Sequence, residues 1–173
     1  MLIKGKIGNL NSFNAGDRLI ERVAIEWYEA NKRILHKRTQ SGRKVVLKFM
    51  NETQNLTDDD VLWCDETTLV VADIQSCEAI IIKPQTMLQM AAVCYEIGNK
   101  HLPLFYDKDE LLVPFDEPLF KLLVSAGHQP IKENRKLLNQ FKTTVLPHAN
   151  IENKPTIFSK ILQLTTSSSS DAK

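Results

Sequence analysis

The chain of 173 residues is poor in the features that announce chemistry. It has three cysteines, Cys64, Cys77 and Cys94, with no CxxC pair among them. That excludes a disulfide framework and a structural zinc ribbon, and points to small core thiols in a reducing compartment. No glycine-rich phosphate loop, GxSxG or HExxH is present, so the common nucleotide-binding, hydrolase and zinc-peptidase signatures are missing. The longest aliphatic run, "AIII" at 79–82, is too short to span a bilayer, and "MLIKGKIGNL" lacks the apolar core of a signal peptide. The expectation is a cytoplasmic protein with no membrane role. Excess charge of one sign is also absent: the net charge is +1, which argues against nucleic acid as a partner. The one local imbalance is Lys32–Lys48, with seven basic residues and no acid.

What is present is ordinary soluble composition, 43% hydrophobic and 25% charged, with two kinds of periodicity. Residues 1–74 read as β structure. "KRILHKRTQSGRKVVLKF" predicts a hairpin turning at "SGRK", and "DVLWCDETTLVVADI" predicts a second one turning at "DETT". "FNAGDRLIERVAIEWYEANKR" suits either helix or strand.

Residues 75–147 change character. "CEAIIIKP" predicts a buried strand, and "MLQMAAVCYEIGN" a helix capped by Thr86 and ended by Gly98. "HLPLFY" and "ELLVPF" predict a strand pair around "DKD", and "DEPLFKLLVSAG" a second helix between Pro118 and Gly127. "KLLNQFKTTVL" supplies the last strand. The order β-α-β-β-α-β is the ferredoxin-like arrangement. The fold class is therefore α+β, an all-β domain at 1–74 followed by a ferredoxin-like domain at 75–147. Residues 148–173, ending in "TTSSSSDAK", predict a flexible tail.

Among candidate chemical groups, "DDD" at 58–60 reads as a turn of solvated carboxylates rather than a cation site. Met87, Leu88 and Met90 read as helix core, and His36 and His128 as polar surface residues. His101 is expected to open a strand just after a helix. One ordered imidazole per chain holds nickel, copper or zinc weakly, but a two-fold axis doubles it.

The stretch "CYEIGNKHLPL" (94–104) resembles the YxxGNxHxP segment of the UreE family of urease accessory metallochaperones. "GDRL", "LTDDDVL" and the βαββαβ order extend the resemblance over roughly residues 1–150. It implies a non-enzymatic, homodimeric protein, able to form a dimer of dimers with metal, that delivers nickel to apo-urease. It also implies transfer through a UreG-type GTPase of the accessory complex. In this family the first half resembles the peptide-binding domain of DnaJ-type co-chaperones, and the histidine matching His101 binds nickel beside its symmetry mate. "LPHANIEN" resembles the C-terminal segment that supplies an extra histidine in some members, which maps to His148. Zinc or copper could occupy the same site. The histidine-rich tail of many members is lacking, so capacity should be about one ion per dimer. The alternative is a peptide-binding or assembly factor in which metal is incidental.

Recruiting His148 would order its segment at a cost of about 1–2 kcal/mol per residue fixed, so it is an accessory ligand rather than a founding one. Calorimetric titration should show moderately weaker nickel binding for a chain ending at Pro147 than for one ending at Ala149. Equal affinities would exclude His148, and complete loss in the shorter chain would make it primary.

Overall fold

A computed structural model describes residues 1–50 and 55–141. Eleven strands, two α-helices and one 3-10 turn make up the described part. In chain order the strands are β1 (Leu2–Ile3), β2 (Gly8–Asn9), β3 (Leu19–Ile25), β4 (Ile34–Arg38), β5 (Lys44–Lys48), β6 (Asp60–Cys64) and β7 (Thr68–Ile74). There follow β8 (Ser76–Ile82), α1 (Met87–Asn99), β9 (Phe105–Asp107), β10 (Glu110–Pro114), α2 (Glu117–Ser125) and β11 (Ile131–Lys136).

The first seven strands form two sheets, ordered β1-β5-β4 and β2-β6-β7-β3. Both expected hairpins form, β4–β5 with Gly42 at φ 87 in its turn, and β6–β7 around Asp65. Asp65 holds that turn by accepting the backbone N–H groups of Thr67 and Thr68. The ambiguous segment resolves into β3, parallel to β7, followed by a 3-10 turn at Trp27–Glu29. Alternation does the packing: Ile3, Leu35, Val45 and Leu47 point inward and join Val23, Ile25, Val70 and Ala72 in one apolar cluster.

The second half is the expected ferredoxin-like unit, a sheet ordered β11-β8-β10-β9 in which every neighbour is antiparallel. Its central strand β8 is buried on both faces over 79–82. Ile80 and Ile82 pack with Val93 and Ile97 of α1 and Leu119 and Leu123 of α2. Ala79 and Ile81 face Phe105, Leu112 and Leu137, where Trp27 packs edge-on against the Phe105 ring. The helices start as expected: the Thr86 side chain accepts the Gln89 N–H, and Asp116 accepts that of Leu119 with Pro118 in the first turn.

Three expectations need correction. The last strand is Ile131–Lys136 rather than "KLLNQFKTTVL", whose residues 137–141 add only one isolated bridge, Gln140 to Phe105. As an edge strand with mostly exposed side chains, β11 carries a polar sequence, "IKENRK", without the alternation that flags a strand. Second, the carboxylates at 58–60 are held by the protein rather than solvated. Asp60 is buried and accepts from Lys6, Asn9 and the Thr57 N–H, and Asp59 pairs with Arg22. Asp58 accepts the Ile74 N–H and pairs with Lys136. Third, the Met87, Leu88 and Met90 stripe is not core: Met87 and Leu88 are exposed and Met90 is partly buried. Residues 142–173, with the end of the expected ferredoxin-like region and the whole tail, lie outside the described residues.

Lys136 on β11 also pairs with Asp73 on β7, tying the two sheets electrostatically. Burial alone would raise the Asp73 pKa, but hydrogen bonds from Lys136 and Gln75 outweigh it and hold the carboxyl below its ordinary value. A depressed folded-state pKa stabilises above the unfolded value near ~3.9, and that stabilisation is lost as pH falls through the lower folded value. Lys136→Met should therefore lower stability at pH 7 by about 1–2 kcal/mol, a charged hydrogen bond discounted for partial exposure. The difference from the native chain should vanish in strong acid. Thermal melts across that range check both statements, and an unchanged gap in acid would contradict them.

Candidate metal-binding site

His101 lies at the end of α1, and the way that helix ends sets its position. Gly98 does not terminate the helix. It keeps a helical φ, the helix runs on to Asn99, and Lys100 caps it by donating its N–H to Ile97 and Gly98. The left-handed residue that follows the cap is His101 itself, at φ 55, with its N–H donated to the Gly98 carbonyl at 3.0 Å. His101 thus ends a helix and does not open a strand. Pro103 has no N–H for a ladder, Leu102 and Leu104 lean on the helix–sheet core, and β9 begins only at Phe105.

A left-handed non-glycine residue is uncommon, although histidine is among the side chains that tolerate it. His101 is exposed, and among the described residues its imidazole has no hydrogen-bond partner. Such backbone strain concentrates at functional positions. Gly98, one turn earlier, raises a parallel question. A Cβ there would meet open space, so nothing among the described residues requires glycine in a helix where it costs about 1 kcal/mol relative to alanine.

Beside these residues runs an apolar surface. Met87 is 89% exposed, Leu88 81% and Tyr95 69%, with Ala91 and Ala92 also exposed between them. Leu88, Ala92, Tyr95 and Asn99 recur at helical spacings of four, three and four, a second face opposite the core-facing Val93 and Ile97. The sequence signal was available: between Met87 and Ile97 only Gln89 and Glu96 are strongly polar, and a helix apolar nearly all round needs cover on both sides.

The other candidates do not gather around His101. Among the described residues, no group of three His, Cys, Asp or Glu side chains could hold a metal ion within one chain. His36 lies on β4, and His128 follows the Gly127 turn after α2, donating its N–H to Leu123. Cys64, Cys77 and Cys94 are free and partly buried, and burial raises the Cys77 and Cys94 thiols above their ordinary pKa. They are poorly poised as thiolate ligands. His148 lies outside the described residues. No helix among them is long and apolar enough to cross a membrane.

The family model described as "UreE urease accessory protein, N-terminal domain" matches residues 3–75, and its C-terminal counterpart matches residues 77–143. The chain belongs to the UreE family. It is 42% identical over 164 residues to the urease accessory protein UreE of Flavobacterium johnsoniae, covering 95% of this chain and 99% of that one. The UreE of Haemophilus influenzae is 41% identical over 140 residues, covering 79% of this chain and 76% of the relative. That of Helicobacter pylori is 31% identical over 153 residues, covering 86% and 90%. With this UreE membership, the boundary between the two matched models falls at Gln75 and Ser76, where β7 gives way to β8.

The helix-end geometry makes a specific demand. Because glycine has no Cβ penalty in the left-handed region, His101→Gly should stabilise the fold by about 0.5–1 kcal/mol. For a domain of this size that is a melting-temperature rise of about 1–4 °C. A melt showing destabilisation of that size would contradict the left-handed conformation.

Proposed function

We propose that this UreE-family chain is a nickel-binding chaperone of urease maturation that holds its cargo ion between two copies of itself. The observation that carries the reading is the His101 imidazole: exposed, without a hydrogen-bond partner among the described residues, and held in a left-handed helix-ending conformation beside an exposed apolar helix face. Membership of a urease accessory family supports the role in maturation. Nickel is the cargo consistent with an imidazole ligand, with zinc and copper as competitors for the same donors.

The physical logic is one of counting. At this surface a single chain offers the His101 imidazole, with His36 and His128 placed on other elements, and no three-ligand group exists among its described residues. A two-fold contact between α1 helices buries Leu88 and Tyr95, brings Gly98 against the opposing backbone, and sets two His101 side chains near the axis. Gly98 then has the role it lacks among the described residues of one chain, since a missing Cβ permits such an approach. His148 is an accessory ligand in this reading, and further association into a dimer of dimers would follow the metal. Two neutral imidazoles leave other coordination positions exchangeable, which suits an ion that must be handed on.

The protein would act in the cytoplasm without catalysis of its own, passing nickel to apo-urease through a UreG-type GTPase. As at the sequence level, the finer assignments rest on the family resemblance. The division of labour follows it as well: residues 1–74 as a partner-binding β domain, and 75–147 as the metal-binding and dimerising domain.

Equilibrium dialysis and light scattering test this directly. The native chain should bind about one nickel per two chains, and His101→Ala should remain dimeric but lose the tight site. Binding should weaken as the solution is made more acidic, because protons compete with the ion and only the neutral ring ligates. Leu88→Lys with Tyr95→Lys should abolish the dimer and the tight site together. Unchanged nickel affinity in His101→Ala, or full binding by a monomer, would sink the proposal.

A further inference from the structure

The sheet β1-β5-β4 has one buried face and one exposed face. Register fixes which side chains share the exposed one. Leu2 lies opposite Val46, which in turn lies opposite His36; Ile34 lies opposite Lys48, and Arg38 opposite Lys44. These are the outward partners of Ile3, Leu35, Val45 and Leu47, which are buried beneath. The outward face therefore has an apolar centre, Leu2, Val46 and Ile34, with Leu2 50% and Ile34 51% exposed. Around it stand Arg38, Lys44 and Lys48.

The local basic excess is only partly neutralised inside the chain. Lys37 pairs with Glu29 and Arg43 with the buried Glu21 carboxylate. Both cations are tied down at the hairpin's inner side and turn. Among the described residues no carboxylate reaches Arg38, Lys44 or Lys48, and Arg38 donates only to the Gly42 carbonyl in its own turn. Beside them His36, Lys37, Arg38, Lys44, Val45 and Val46 line a shallow recess. A face with three cations that no described carboxylate meets, set around an exposed aliphatic strip, is complementary to the opposite pattern.

We propose that this face docks an acidic, extended segment of a partner protein, its aliphatic side chains seated on Leu2, Val46 and Ile34 and its carboxylates meeting Arg38, Lys44 and Lys48. The chemistry favours protein over the alternatives. A single-stranded nucleic acid would need stacking aromatics, and apart from His36 the face has no aromatic ring. A lipid surface would need a longer apolar face or a denser run of cations. Carboxylates also give the planar, two-oxygen geometry that an Arg38 guanidinium recognises. The surface is distinct from the α1 face, so its failure would leave the nickel reading untouched.

Selection from a random dodecapeptide library on immobilised full-length native chain, in parallel with the Arg38→Glu, Lys44→Glu double variant, tests the proposal. The native chain should enrich peptides rich in Asp and Glu interleaved with Leu, Ile or Val. The double variant should lose them. Re-synthesised peptides should bind the native chain more weakly as salt rises and bind the double variant at least about tenfold more weakly. Ile34→Ser with Val46→Ser should also weaken binding, without removing its salt dependence. Nickel stoichiometry measured on all variants should be unchanged, which checks that each remains folded. Enriched peptides without acidic bias would overturn the proposal, as would equal enrichment by both chains. So would tighter binding of a poly-dT oligonucleotide or of phosphatidylglycerol vesicles to the same face.

Discussion

Strand β8 is the constraint on which both halves of the molecule depend. It is hydrogen-bonded on both edges, to β10 and β11, and over 79–82 it is buried on both faces. Ile80 and Ile82 give α1 and α2 their seat, while Ala79 and Ile81 form the surface on which Phe105 and, through it, Trp27 pack. The sequence "AIII" is what such a strand requires: with no solvated side, no position can be polar. The fixed seat of α1 in turn fixes where its last turn ends, and so where His101 stands.

The end of α1 illustrates how local backbone chemistry and assembly interact. A glycine at position 101 would terminate the helix with less strain, and an alanine at position 98 would favour the helix more. The chain has each residue where the other property would be cheaper. Both departures make sense together if position 98 must allow a second backbone to approach and position 101 must carry a ligand to the same place. The uncovered Leu88 and Tyr95 lie on the helix that joins them, so one contact would bury the apolar face and create the site. Neither Gly98 nor His101 is explained by contacts among the described residues of the single chain.

Much of this was legible in the sequence, and the exceptions have physical causes. β-prone runs around a turn marked both hairpins, with Gly42 in the first turn and "DETT" in the second, and Thr86, Pro118 and Gly127 marked helix ends through ordinary capping chemistry. The antiparallel order β11-β8-β10-β9 followed from the element sequence once the crossovers were read as helices. The last strand was misplaced because β11 is an edge: its pairing with β8 runs through the backbone, which leaves no imprint on side-chain polarity. The "DDD" run read as solvated because its partners, Lys6, Arg22 and Lys136, are distant in the chain. The helix end was misread because Gly98 looked like the customary terminator, while a histidine took the left-handed position. At the site, His101 came from resemblance rather than from spacing. The apolar α1 face was visible as composition but not as exposure.

A shared site requires two chains to hold one ion through a pair of His101 side chains. Mixed dimers decide that most directly. Native chains and His101→Ala chains, distinguished by an affinity tag, can be combined and the mixed dimer isolated, then loaded with nickel and weighed intact by native mass spectrometry. The shared site predicts one tightly held ion in the native dimer and none in the mixed one, since a single remaining imidazole is insufficient. A mixed dimer that retains a tightly held ion would mean that each chain binds for itself, and would contradict the central claim.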